Sequence, residues 1–172
     1  MTTIFRARGD MLKMVRDDLE RPHSFAAERV GFFLCRAGNL SGHGLVILAA
    51  TYDPVDDEDY LPDDSVGAMM GPAAIRKALQ RAYAAGAGDI SLFHVHMHGH
   101  KGLPGFSRVD VTESKKFVPD FFNVAPMMPH GIIVLSHDRA VGLCWRGPRE
   151  EPTMIDHFAH VGAPMHLWEG KR

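Results

Sequence analysis

The sequence predicts one α/β domain over residues 1–172, with a mostly antiparallel or mixed sheet flanked by helices. Three observations carry this. A chain of 172 residues with 45% hydrophobic and 23% charged side chains can bury one substantial core. The hydrophobic periodicities run helix, strand, strand, helix, strand, helix, strand, strand, strand. Two of the strand pairs are hairpins, so the order is not the strict strand–helix alternation of a doubly wound parallel sheet. Consistent with this, no G-x-G-x-x-G or Walker loop is present.

The elements are justified in order. From Asp10 to Arg21, apolar Met11, Leu12, Met14, Val15 and Leu19 alternate with charges at helical spacing, and Pro22 stops the run. Val30 to Cys35 and Leu45 to Thr51 read as a hairpin around the glycine-bearing loop Arg36 to Gly44. Asp53 to Asp64 carries seven acidic residues and two prolines. It reads as a solvated loop, because its spacing lacks the glycine of an EF-hand. Pro72 to Ala85 starts with proline at a first-turn position and puts Ile75, Ala78, Leu79, Ala82 and Tyr83 on one face, a helix ended by Gly86 and Gly88. Ile90 to His96 is a short buried strand, and Asp110 to about Phe122 is helical. Gly131 to Leu135 and Ala140 to Trp145 form the second hairpin. A last strand falls within Thr153 to Trp168.

Net charge is −2 with histidine neutral, which provides no field for nucleic acid or an anionic membrane. The start of the chain lacks the apolar core of a signal peptide, and no apolar run reaches membrane-spanning length. Cys35 and Cys144 each lie in an apolar run and read as buried free thiols. Two such cysteines fit a reducing cytoplasm better than a disulfide framework.

The chemistry concentrates in His94-Val-His96-Met-His-Gly-His100-Lys-Gly-Leu-Pro-Gly-Phe-Ser107-Arg-Val-Asp110, which holds four of the chain's eleven histidines. Residues i and i+2 of a strand share a face, so His94 and His96 aim at one point. Asp110 can add an oxygen ligand. Two histidines and a carboxylate, with a fourth position left for water, is the pattern of a catalytic zinc site. Gly99 and Gly102 predict that the strand stops near Met97. His98 and His100 then lie in the loop, off the shared face. Ser107-x-x-Asp110 also matches a capping box, with serine as N-cap and the acid at N3. Spacing alone does not separate capping from catalysis. Glu28 heads an apolar strand, where a carboxylate is ordinarily a solvated strand end. Zinc hydrolysis, however, needs such a group to move a proton.

Glu28 before an apolar strand, then His94-x-His96, then Ser107-x-x-Asp110, resembles the JAMM motif of the JAB/MPN metalloprotease family. The element order from the first helix to about Trp145 is similar to the family's, and the loop wording resembles its prokaryotic branch. The resemblance implies a JAB/MPN-like (cytidine-deaminase-like) fold. It also implies a zinc hydrolase that cuts isopeptide or peptide bonds after the C-terminus of a ubiquitin-like protein. By the same token His94, His96 and Asp110 would bind Zn2+, Glu28 would be the general acid/base, and Ser107 would help hold the oxyanion. The ten residues from Met97 to Phe106 exceed the family's commonest spacing. That length leaves open a role for His98 or His100 toward substrate or metal.

The expected function is therefore zinc-dependent deconjugation or precursor processing of a ubiquitin-like protein. Its partners would be that protein or its conjugates and the associated activating and conjugating enzymes. The competing readings are hydrolysis of a small amide or peptide, and a non-catalytic MPN-like binding scaffold. An intact Glu28 argues against the scaffold, which needs no base.

Overall fold

Residues 1–23, 27–40, 44–62, 67–162 and 164–170 are described by a computed structural model of the chain. Nine strands form one mixed sheet: β1 (Thr2–Arg8), β2 (Val30–Leu40), β3 (Gly44–Pro54), β4 (Ser91–Met97), β5 (His130–Leu135), β6 (Ala140–Trp145), β7 (Thr153–Met154), β8 (His157–Val161) and β9 (His166–Glu169). Their spatial order is β7-β6-β5-β4-β2-β3-β1-β8-β9. The β1–β3, β1–β8 and β4–β5 pairs are parallel and the other pairs antiparallel. The α/β class with a mixed, mostly antiparallel sheet is therefore as expected. Among the described residues there are three α-helices: α1 (Gly9–Leu19), α2 (Pro72–Gly86) and α3 (Arg108–Phe121). None is long and apolar enough to cross a membrane.

The helices cover both faces of the sheet. α1 buries Met11, Leu12, Val15 and Leu19 in one cluster with Phe5, Phe33, Ile47, Phe93, Val95 and Ile133. α2 and α3 close the other face, where Ala74, Ala78, Ala82, Val118 and Phe121 pack with Val30, Phe32, Leu34, Leu92 and Ile132. Because both faces are covered, every residue of β4 is buried. Buried strands of this kind read as continuous apolar runs, not as alternation. Odd-numbered β4 residues face α1, and even-numbered ones share the face of α2 and α3.

Several expectations need correction. β1 was not expected as a strand, because its inward Thr3, Phe5 and Ala7 alternate with Arg6 and Arg8 in too short a run to stand out. The first hairpin is longer than expected. Arg36 to Leu40 stays in the ladder with Gly44 to Leu48, held by backbone pairing beyond the core, while Ser41 to His43 lie outside the described residues. The C-terminal segment holds three short strands instead of one. Met14 and Tyr83, expected on inward helix faces, are exposed. On α2 the inward stripe is Ala74, Ala78 and Ala82, small residues that let the helix lie close to the sheet. The acidic stretch is partnered and not merely solvated. Asp57 pairs with buried Arg29, Asp53 with Arg81, and Asp56, Glu58 and Asp59 with Lys77. Asp63 and Asp64 lie outside the described residues. Cys35 and Cys144 are buried and free, and burial raises both thiols, Cys144 to about 12.

His130 is a fully buried polar residue that the sequence did not flag. The Leu92 N–H donates to its Nδ1 at 3.0 Å, and its Nε2 lies 2.9 Å from the Ala125 carbonyl. This pairing assigns the proton to Nε2 in a neutral ring. The ring ties the start of β5 to β4 and packs edge-on against Phe122. Burial pushes the imidazole down to about 4, against the pull of both backbone partners. The unfolded chain, with an ordinary histidine near 6.5, binds the proton first. Stability from this group is thus complete above about pH 6.5 and is lost as pH falls toward 4. Denaturant titrations of the metal-free protein should show that loss. His130→Phe should flatten it, and at pH 7 should cost about 1–3 kcal/mol for the stranded backbone groups. An unchanged pH slope in the variant would mean that another group sets the acid limit.

Candidate metal centre

β4 carries the centre of the site. His94 lies opposite Phe32 on β2 and Ile132 on β5, and His96 lies opposite Val30 and Val134. His94 is 8% and His96 2% exposed. His94 is enclosed by aromatic rings, with Phe117 of α3 at 5.1 Å and Phe32 at 5.7 Å between centroids. Burial and then the neighbouring His96 push His94 down to about 3, against the opposing pull of Asp110. It is thus a neutral ring at physiological pH.

Neither ring nitrogen of His96 has a hydrogen-bond partner among the described residues. Beside it is Asp110, brought there by the start of α3. Ser107 is the N-cap. Its Oγ accepts from the Asp110 N–H at 3.0 Å, and Asp110 Oδ2 accepts from the Ser107 N–H at 2.7 Å. The capping box is present, and it spends only one oxygen of the carboxylate. The other, Oδ1, stands 3.4 Å from His96 Nε2. Two donors each about 2.0–2.1 Å from a tetrahedral zinc ion lie about 3.4 Å apart. Burial would raise Asp110, but the His96 ring and Ser107 outweigh it and hold the carboxyl at about 2. The acid is ionised wherever a metal would be tested.

Glu28 reaches the same place from the bend two residues before β2. Its N–H and that of Ala27 donate to the Gly67 carbonyl, and the neighbouring residues are fixed firmly. Arg29 Nε donates to the Arg21 carbonyl, and the Tyr60 hydroxyl accepts from the Val30 N–H at 2.8 Å. The Glu28 carboxylate is about one-third exposed and stands 4.0 Å from His98 Nε2. One ligand atom from each of Glu28, His96 and His98 can be chosen so that all lie within 4.8 Å of one another.

The loop between β4 and α3 was expected to take His98 off the histidine face, and here the structure differs. The strand does end at Met97, yet the His98 N–H still donates to the Leu135 carbonyl, prolonging the β4–β5 ladder. The His98 ring therefore stays in the row, 5.2 Å from that of His96, with His100 a further 6.0 Å on. The glycine-rich stretch is anchored to the β5–β6 turn. Gly102 N–H donates to Asp138 Oδ1 at 2.7 Å, the Ser136 hydroxyl donates to the Gly102 carbonyl at 2.7 Å, and the His137 N–H donates to the His100 carbonyl. Gly102 has φ +91°, a conformation that side chains disfavour. β4 is flanked on both sides, so a substrate strand has no free edge beside the histidines.

Sequence spacing thus located His96, Asp110 and Ser107 in one neighbourhood, with His94 one step deeper, and the motif resemblance added Glu28. It set His98 off the shared face while leaving a role toward metal open; the even number of His98 was the signal for its place in the row. The donor set could hold a divalent metal ion: imidazoles, an ionised carboxylate, and a buried ring with both nitrogens unpartnered.

No family model matches the chain, and no curated protein matches it. Among solved structures, the Trichoplax adhaerens STIL N-terminal domain is similar at TM-score 0.39 and 9% identity over 80% of this chain. The chain spans 40% of that one, and the likeness is too weak to bear on fold family or function.

The cap can be separated from any chemistry of the hydroxyl. Ser107→Ala should cost about 1 kcal/mol of stability and Ser107→Gly only a few tenths, because glycine is itself an acceptable N-cap. Both remove the hydroxyl. Chemical denaturation of the two variants side by side checks the difference, and equal losses would show that the capping bond contributes little.

Proposed function

We propose that the protein is a zinc-dependent hydrolase of the JAMM type, with a JAB/MPN-like fold. Its substrate in this reading is a peptide or isopeptide bond after the C-terminus of a ubiquitin-like protein. The observation that carries the reading is the His96–Asp110 pair. A buried imidazole without hydrogen-bond partners and an ionised carboxylate stand at the separation of two ligands of one ion. His96 and Asp110 would hold the metal with a second imidazole from the same row, for which the motif spacing names His94. Bound zinc supplies Lewis acidity, polarising the scissile carbonyl and acidifying water to a pKa of roughly 7.

The other residues would act around it. Glu28 takes a proton from the attacking water and returns it to the leaving amine. Its exposure lets it do both, and its anchored backbone keeps it in place. The Ser107 oxygen accepts the capping bond, which leaves its O–H free to donate to the carbonyl oxygen as negative charge develops. Substrate would cross the end of β4 beside the pinned loop, since β4 itself has no edge to offer. Small residues at the scissile bond suit that close approach. The ubiquitin-like body, and the activating and conjugating enzymes of such a system, are carried by the motif resemblance.

A ubiquitin-like tail fused to a reporter should be cut after its last residue by the zinc-loaded protein. Glu28→Gln should keep the fold and the zinc while losing at least about a hundredfold in rate, in the range typical of acid–base transfer. His96→Ala should lose both zinc and turnover. Near-normal turnover by Glu28→Gln would remove Glu28 from the chemistry. Equal cutting of arbitrary short peptides would favour a small-amide hydrolase, and zinc uptake with no cleavage of any amide would favour a scaffold.

A further inference from the structure

We infer that the second imidazole of the metal centre is His98, and that His94 is a packing residue behind it. The inference rests on the metal reading above only in taking His96 and Asp110 as ligands. Three independent observations place the centre toward the His98 end of the row.

The first is strand register. β2 and β4 run antiparallel with Phe32 across from His94 and Val30 across from His96. The paired ladder ends there; Glu28 lies two residues before β2 and His98 one residue past β4, and Glu28 Oε1 stands 4.0 Å from His98 Nε2. The carboxylate thus meets His98 just beyond the ladder, whereas the residue paired with His94 is a phenylalanine. The second is the arrangement of donor atoms. Among the described residues, the one group of three whose ligand atoms all come within 4.8 Å is Glu28, His96 and His98. Neither His94 nor Asp110 belongs to that group; it singles out His98 as the imidazole that joins His96, while Asp110 enters through its approach to His96 Nε2. The third is environment. His94 packs against Phe32 and Phe117 on the helix-covered face, with the His96 ring 5.8 Å away, and is almost fully buried. His98 has its ring 22% exposed at the mouth of the strand, where a metal can keep an open position for water or substrate.

The backbone makes His98 as well placed as a strand residue. Its N–H is held by Leu135, and the following loop is fastened to the β5–β6 turn through Ser136 and Asp138. The buried His96, between His94 and His98, has both nitrogens unpartnered and faces the centre from the core side. Glu28, beside His98, then stands next to the metal's open position.

Cobalt(II) alone is the probe, bound to the full chain after chelator treatment, with affinity and ligand-field absorption as readouts. His98→Ala should weaken cobalt binding by more than the roughly 100-fold ceiling for a supporting residue, and should alter the absorption bands. His94→Phe should keep affinity within about tenfold and leave the bands unchanged. In the wild-type protein, nitrogen NMR of the imidazoles during zinc titration should move His96 and His98 and leave His94 in place. This reading does not depend on either variant folding. Loss of the cobalt spectrum in His94→Phe, if that variant is folded, or a zinc-induced shift of the His94 nitrogens would overturn the assignment. Failure of the wild type to take up any cobalt would instead overturn the metal reading beneath it.

Discussion

The structure depends on one constraint: β4 is buried on both faces and still carries imidazoles. A strand between β2 and β5, covered by α1 on one side and by α2 and α3 on the other, is a place for valine and phenylalanine. Its odd positions obey that rule at Phe93, Val95 and Met97, though not at the buried Ser91. Its even positions do so only at Leu92, after which His94 and His96 follow. An unpartnered buried polar group costs about 1–3 kcal/mol. His130 shows how this fold avoids that cost when a histidine is structural, by pairing both ring nitrogens with backbone. His96 has no such arrangement, and a carboxylate oxygen left over from a capping box stands 3.4 Å from its Nε2. The contrast between these two buried histidines is the physical basis for proposing a metal at His96.

The elements around the row serve to deliver groups to it without moving. Asp110 is fixed by the helix start, Glu28 by Gly67 and by the Arg29 and Val30 bonds that follow it, and His98 by the Leu135 carbonyl. The acidic stretch after β3 contributes indirectly. Asp57 and Tyr60 brace the strand entry that bears Glu28, while Lys77 gathers three of the remaining carboxylates. A loop of this length between strand and helix would ordinarily be the loosest part of such a site. Here Ser136 and Asp138 tie it down.

What was legible in the sequence follows from what sequence periodicity records. The i, i+2 spacing of His94 and His96, and the Ser107-x-x-Asp110 box, are local patterns, and both are realised. Helices α1 to α3 and the central strands were visible because their apolar periods are long. β1 was not, since arginines occupy its outward positions and its inward ones are only three. The ladder beyond Cys35 was not, because it is held by backbone pairing that leaves no apolar trace. His98 was misplaced for a related reason. Gly99 announces the end of the strand, but a single hydrogen bond from the His98 N–H carries the strand's geometry one residue further. The meeting of Glu28 with the histidine row depends on register between two strands far apart in sequence, which a single chain of letters does not display.

The central claim is that His96 and Asp110 are two ligands of one ion. Anomalous X-ray scattering at the zinc edge, from crystals grown with zinc after chelator treatment, tests it directly. The account predicts one strong peak within about 2.2 Å of both His96 Nε2 and Asp110 Oδ1. A peak elsewhere in the chain, or none at this site at full zinc occupancy in solution, would contradict it.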